Sequence, residues 1–210
     1  MSTADHLVLI VDDDHSVREA LRDLLAASDL CAVAFGSAAE YFAYPKPDAP
    51  ACLILDVELP DINGLDLQQQ IGREFHPPII FVTGHGDIPS SVRAMKAGAL
   101  DFLTKPFSGQ ELLERVHAAL ALDRERRAKK ADLDRLRRCF QSLTPREREV
   151  LPLVVSGLLN KQAAAHLGIS EVTLQIHRAS VMRKMEADSL ADLVRMAGCL
   201  EIPVTLSRHP

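Results

Sequence analysis

Long apolar runs are missing from this sequence: no stretch approaches the ~20 residues needed to span a bilayer. Cysteine is scarce. The four cysteines, Cys31, Cys52, Cys139 and Cys199, are widely spaced and form neither a CxxC pair nor a Cys/His cluster. A disulfide framework or zinc site is therefore not expected, and all four read as small buried hydrophobes. Internal repeats and low-complexity tracts are also lacking. The opening residues, MSTADHLVLIVDDD, have no basic n-region and turn acidic after a short apolar stretch, unlike a secretory signal. The expectation is a cytoplasmic protein with no membrane partner. Its 210 residues, 47% hydrophobic and 25% charged, suit one or two ordinary globular domains.

Charge is unevenly distributed. Residues 1–120 carry 8 Lys and Arg against 18 Asp and Glu, whereas residues 121–210 carry 16 against 11. An acidic half joined to a basic half suggests two tasks, the basic half lying near a polyanion. Ordinary surface charge explains the same numbers equally well.

Hydrophobic periodicity separates the halves further. LVLIV (7–11), CAVAF (31–35), ACLIL (51–55), PIIFV (78–82) and ALDFL (99–103) read as short strands buried on both faces. Between them lie helical patterns. One is carried by Val17, Ala20, Leu21, Leu24 and Leu25, and others cover roughly 37–43, 64–74 and 88–97, the last stopped by Gly98. This (βα)5 order predicts a doubly wound, five-stranded parallel sheet. The fifth helix opens with Ser108 as N-cap and Glu111 three residues on. The segment DRERRAKKADLDRLRR, free of Gly and Pro, then predicts a helical linker over 123–140. Leu133, Leu136 and Phe140 give it a thin apolar stripe, suited to a partner helix, to docking or to a solvated face. The remainder has no strand pattern. Thr144-Pro145 with Glu147 forms a capping box, and four short helices follow at roughly 145–156, 160–167, 171–185 and 189–198. Pro152 should bend the first of these near 148–152.

In a doubly wound sheet, ligands bind outside the carboxyl ends of the strands. Asp12, Asp13 and Asp14 follow the first strand, Asp56 the third, Thr83 the fourth, and Lys105-Pro106 the fifth. Clustered carboxylates repel one another unless a cation occupies the site. Hard oxygen ligands suit Mg²⁺, or Mn²⁺ in its place. A carboxylate such as Asp56 can accept a phosphoryl group as an acyl phosphate, with the metal, Lys105 and the Thr83 hydroxyl stabilising its oxygens. Each residue alone reads as a turn or a cap; the joint pattern is what points to phosphoryl transfer.

VDDD, LILDVELPDINGLDL, FVTGHGD and AMKAGALDFLTKPF, at their observed spacing, resemble a CheY-type receiver over roughly residues 6–122, within a receiver domain placed at 1–122, and most closely those of the FixJ group. The resemblance implies that Asp56 is the phosphorylated residue. It implies that Asp12, Asp13 and Asp56 hold the metal, with Glu58 adding its backbone carbonyl, and that Thr83 and Lys105 contact the phosphoryl group. Phe102 occupies the aromatic switch position, and Lys105-Pro106 matches the family's cis-proline joint. Asp14 stands where many relatives have Glu, and Glu58 where Arg is frequent. His85 and Gly86 lie beside the pocket; His85 is a candidate for tuning dephosphorylation or a plain loop histidine.

Residues 141–203 resemble a LuxR-type helix-turn-helix in the series TPREREVL, GLLNKQAA, LGIS, TLQIHR and SLADLVRMA, leaving 204–210 as a tail. Asn160 caps a scaffold helix, Gly168 permits the turn, and Ser170 caps a recognition helix fit for the major groove. On that helix Leu174, Val181 and Met185 form a core stripe. By resemblance Gln175, Ile176 and Ala179 face bases. Lys161, Thr173, Arg178, Arg183 and Lys184 are the phosphate-contact candidates. Relatives usually carry Lys where Gln175 stands.

The resemblance as a whole implies a two-component response regulator, not an enzyme. A sensor histidine kinase phosphorylates it, it forms a homodimer when phosphorylated, and it binds double-stranded promoter DNA, with RNA polymerase as a further candidate partner. One rival is a Mg²⁺-dependent phosphohydrolase, against which stand the Asp56-Val57-Glu58 sequence in place of a DxD pair and the absence of a large cap domain. Another is an interaction module that is never phosphorylated.

Overall fold

The computed structural model describes residues 6–46, 48–71, 76–84 and 88–203. The end of the expected 64–74 helix, His85, Gly86 and the tail 204–210 lie outside them. The chain forms two compact units, residues 1–127 and 128–210. No helix among the described residues is long and apolar enough to cross a membrane.

The first unit holds β1 (Leu7–Val11), β2 (Ala32–Phe35), β3 (Ala51–Asp56), β4 (Ile79–Thr83) and β5 (Asp101–Thr104). Between them lie α1 (His15–Ala26), α2 (Ala38–Ala43), α3 (Gly64–Ile71) and α4 (Ile88–Lys96); α5 (Gly109–Gln141) follows β5. All pairings are parallel and the order is β2-β1-β3-β4-β5. The central strands β1, β3 and β4 are almost wholly buried because helices cover both faces. Leu21, Leu25, Val116 and Leu120 from α1 and α5 pack with Val8, Ile54 and Ile80 on one face. Tyr41, Leu67 and Ala94 from α2, α3 and α4 pack with Leu9, Leu53 and Phe81 on the other. The doubly wound sheet expected from the sequence is the observed one.

Caps explain several helix starts. The Asp14 side chain accepts from Ser16 N, Ser37 Oγ from Glu40 N, and Ser108 Oγ from Glu111 N. Within α5, Asp123 is buried, and its carboxylate accepts from Ala51 N at 2.8 Å and from Arg127 Nε at 2.7 Å, fixing the start of β3.

The second unit contains the end of α5, then α6 (Pro145–Val155), α7 (Asn160–Leu167), α8 (Glu171–Lys184) and α9 (Leu190–Cys199). Its core joins Leu136 to Val150, Leu151, Leu174, Val181, Met185 and Leu193. Cys139 and Phe140 pack against that core, so docking is the role that Leu136 and Phe140 take here. Thr144 and Glu147 form the reciprocal capping box. Pro152 has no N–H to give the Arg148 carbonyl, yet α6 continues past it to Val155. Two expectations need correction. Asn160 is the first residue of α7, and Leu159 is its N-cap, with Leu159 N donating to Gln162 Oε1 at 2.9 Å. The cysteines are not uniformly buried: Cys52 is, whereas Cys31 and Cys199 are exposed because they fall at element ends facing solvent.

Leu136→Ala should lower the stability of the second unit by about 2–4 kcal/mol and leave the unfolding of the first unit unchanged within error. Chemical denaturation of the full chain, followed by residue-resolved hydrogen exchange, checks this.

Candidate functional site

The order β2-β1-β3-β4-β5 reverses direction between β1 and β3, and that switch point opens a crevice at the strands' carboxyl ends. Asp12 follows β1, Asp56 ends β3, Thr83 ends β4, and Lys105 follows β5. The sheet thus gathers residues that are far apart in sequence. Asp12, Asp56 and Thr83 are buried, with 2%, 6% and 0% exposure, while Asp13 is exposed. One carboxylate oxygen from each of Asp12, Asp13 and Asp56 lies within 4.8 Å of the others.

The Lys105 ammonium donates to Asp12 Oδ2 at 2.8 Å and to Asp56 Oδ2 at 2.9 Å. Burial works against this ammonium, but its hydrogen bonds and ion pairs with the two carboxylates outweigh burial, and its pKa lies above the ordinary lysine value. Burial raises the Asp12 pKa above the usual carboxylate range, assisted by the charge of Asp56 and opposed by Lys105 and by the backbone N–H of Asp14. The other oxygens also have partners. Asp14 N donates to Asp12 Oδ1 at 2.9 Å, and Glu58 N to Asp56 Oδ1 at 3.0 Å.

Backbone contacts hold the loops that carry these groups. Arg18 Nη1 donates to the carbonyls of Asp12 and Asp13, at 2.7 and 2.9 Å. Lys105 N donates to Thr83 O at 2.8 Å, and Lys105-Pro106 is cis. Gly64 packs so closely on β3 that a Cβ there would stand 2.1 Å from the Asp56 carbonyl, so only glycine fits. Asp61 accepts from Ala39 N at 3.1 Å and Ala38 N at 3.4 Å, tying the loop after β3 to the start of α2. Arg18 and Asp61 were missed in the sequence, where each looks like an ordinary surface charge. Phe102 is half-buried, its ring 6.1 Å from that of Phe81.

The second unit presents a different surface. Gly168, at φ 65°, makes the left-handed turn between α7 and α8 that disfavours a side chain. The Ser170 hydroxyl accepts from Thr173 N and caps α8. Leu174, Val181 and Met185 face the core, whereas Gln175, Ile176, Ala179 and Arg183 are exposed. Val172 and Ile176, 67% and 65% exposed, leave apolar side chains in solvent on a helix otherwise held by packing. Lys161 is also exposed. The other candidate contacts have internal partners. Arg178 Nη1 donates to Asn160 Oδ1 at 2.9 Å, and the Thr173 and Ser170 hydroxyls share a hydrogen bond. Lys184 Nζ donates to Glu147 Oε2 at 2.7 Å.

Glu147 ties α6 to α8. Its carboxylate accepts from Lys184, from Ser180 Oγ at 2.7 Å and from Thr144 N at 2.7 Å. The Lys184 bond leads in holding its pKa down to about 2, outweighing burial.

Comparison with known proteins now bears on both surfaces. A family model for the response regulator receiver domain matches residues 8–117, and one for bacterial regulatory proteins of the luxR family matches residues 141–197. The chain belongs to the FixJ-like two-component response regulators. Nodulation protein W of Bradyrhizobium diazoefficiens is 52% identical over 197 residues, covering 93% of this chain and 87% of that protein. Transcriptional regulatory protein FixJ of Rhizobium meliloti is 40% identical over 194 residues, covering 92% and 95%. Among solved structures, response regulator StyR is 45% identical with a TM-score of 0.84, covering 92% of this chain and 98% of that one. This response regulator is a transcription regulator with a receiver and a DNA-binding helix-turn-helix, and the phosphohydrolase alternative falls away. A receiver takes its phosphoryl group from a kinase partner and binds Mg²⁺ at an aspartate cluster; Asp12, Asp13 and Asp56 form such a group.

Glu147→Gln should destabilise the second unit by about 1.5–3 kcal/mol at neutral pH, since it removes a charged acceptor from a buried network. The folded pKa of Glu147 lies below its unfolded value, so its contribution is full above about 4.5 and is lost as the pH falls toward about 2. Denaturation of wild type and variant across that range should therefore give converging stabilities.

Proposed function

We propose that Asp56 is the phosphorylated residue and that its modification controls self-association and DNA reading. The observation carrying this reading is the placement of Asp56 at the β1/β3 switch point, beside Asp12 and within 2.9 Å of the Lys105 ammonium. An Asp56 carboxylate oxygen attacks the phosphorus of a sensor histidine kinase's phosphohistidine. The phosphorus–nitrogen bond breaks, the imidazole leaves with its electron pair, and an acyl phosphate forms.

The donor set fits a small hard divalent ion: three carboxylate oxygens close together and the Glu58 carbonyl on the adjoining loop. Asp12, Asp13, Asp56 and the Glu58 carbonyl would hold Mg²⁺, or Mn²⁺ in its place. When bound, the ion offsets carboxylate repulsion and the charge on the phosphoryl oxygens. Lys105 is placed to exchange its Asp56 bond for a phosphoryl oxygen, and the Thr83 hydroxyl donates to another.

Phosphorylation replaces the single carboxylate charge of Asp56 with a phosphoryl group carrying about two negative charges, beside the end of β4. Thr83 moves toward them, and Phe102, one strand away, turns into the space released. The α4–β5 face then changes shape. That face carries Ile88, Val92 and Met95, with exposures of 79%, 44% and 47%, an apolar surface suited to a homodimer. A dimer brings two copies of α8 to paired half-sites in double-stranded promoter DNA. Gln175, Ile176 and Ala179 read base edges. Lys161 and Arg183 contact phosphates, and Arg178, Thr173 and Lys184 join them by sharing or exchanging their internal partners. The receiver spans 1–122, the helical linker 123–140, the DNA-binding domain 141–203 and the tail 204–210. The protein works in the cytoplasm, with RNA polymerase a further partner at the promoter.

Wild type treated with a phosphorylated histidine kinase and Mg²⁺ should dimerise and bind its promoter more tightly. Asp56→Asn should do neither. Sedimentation and a gel-shift titration decide the matter, and a phosphorylation response in Asp56→Asn equal to wild type contradicts the reading. Separately, Gln175→Lys should steepen the salt dependence of DNA binding by roughly 0.9 in log–log slope if the new charge meets a phosphate. Affinity measured across a salt series checks that number.

A further inference from the structure

The receiver unit also has a cavity remote from Asp56. It measures about 240 Å³ and opens at the amino-terminal edge of the sheet, where β3 begins at Ala51 and Pro77 precedes β4. Asp56 lies at the far end of β3, about 17 Å along the strand. Leu9, Phe42, Ile71 and Pro77 supply apolar walls, and Lys46 and Arg127 supply positive charge. Among the described residues, none that lines it is acidic.

The two cations differ in what they already bind. Arg127 is engaged by Asp123 at 2.7 Å and by Asp48 at 3.1 Å. The Lys46 ammonium sits 3.7 Å from the centre of the Tyr41 ring and donates to the backbone carbonyls of Tyr41 and Tyr44. Among the described residues it pairs with no carboxylate. Partial burial against these rings pulls its pKa below the usual lysine value. An ammonium has three donors, and two are spent on carbonyls. A third N–H is taken by no carbonyl, and Lys46 lines an apolar, aromatic-walled cavity.

We propose that this cavity binds a small aromatic monocarboxylate. The ring lies against Phe42, Ile71 and Pro77, and the carboxylate accepts from Lys46. The volume falls below the ~300–1,000 Å³ typical of larger ligands, which limits the occupant to about one ring. Arg127 is already held by two carboxylates, and Gln70 and His76 add only uncharged polar groups to the lining. Among the described residues, Lys46 is therefore the one cation left to meet an anion. That suits a monoanion better than a phosphate dianion, whose oxygens would need several charged donors. The proposal is independent of the chemistry at Asp56.

The test is a titration of the full-length protein with benzoate, followed by backbone amide NMR, with benzamide and inorganic phosphate as comparison probes. Benzoate should give saturable shifts below about 10 mM, centred on Phe42, Ala51 and Ile71. Lys46→Met should weaken benzoate at least about tenfold and leave benzamide unchanged. Ile71→Trp, which fills the cavity, should abolish benzoate binding while the receiver keeps its dispersed amide spectrum, showing that it is folded. Absence of saturation, shifts centred elsewhere, benzamide or phosphate binding as tightly as benzoate, or an unchanged benzoate affinity in Lys46→Met would each overturn the proposal.

Discussion

One ammonium group between two buried carboxylates organises the receiver. Asp12 and Asp56 come from neighbouring strands on either side of the point where the sheet changes direction, and Lys105 bridges them. Two negative charges this close are unfavourable without a counter-charge, so the position of Lys105 sets what the pocket can hold. Its backbone is in turn bound to Thr83, at the end of β4. Any event that changes the charge on Asp56 is therefore felt directly by the fourth and fifth strands, whose outer edge carries Phe102. Under the proposed function, this is the route by which phosphorylation would reach the surface.

Buried carboxylates serve as fasteners elsewhere in the chain. Asp123 captures the first N–H of β3 and the side chain of Arg127. Glu147 joins the capping box of α6 to Ser180 and Lys184 of α8. In each case one acceptor-rich group satisfies several donors from different elements, which is what makes burial of a charge tolerable. Glu147 holds the back of α8, so that the exposed face with Gln175, Ile176 and Ala179, the one proposed to read DNA, keeps a fixed angle to the small helical core.

Much of this was legible in the sequence. Five apolar runs separated by helical periodicity are enough to specify a parallel doubly wound sheet, and that topology places Asp12, Asp56, Thr83 and Lys105 at one edge before any coordinates exist. Leu174, Val181 and Met185 were likewise readable as the inner stripe of α8. What periodicity cannot convey is the partner of a long polar side chain. Arg18, Asp61 and Asp123 look like surface charges in a helix or loop, because their partners include backbone groups of loops or strands outside their own element. The α7 cap was misread for a related reason: Asn160 is a good capping residue, but its side chain is taken by Arg178, and Leu159 closes the turn with Gln162. The two exposed cysteines show that residue type alone does not fix burial at element ends.

The account rests on Asp56 as the phosphoryl acceptor. The most direct measurement is to treat the protein with acetyl phosphate and magnesium, trap the acyl phosphate by borohydride reduction, and locate the resulting homoserine by peptide mass spectrometry. The account predicts conversion at position 56 alone. Conversion at Asp12 or Asp13 instead, or none anywhere under conditions that label another receiver, would contradict it.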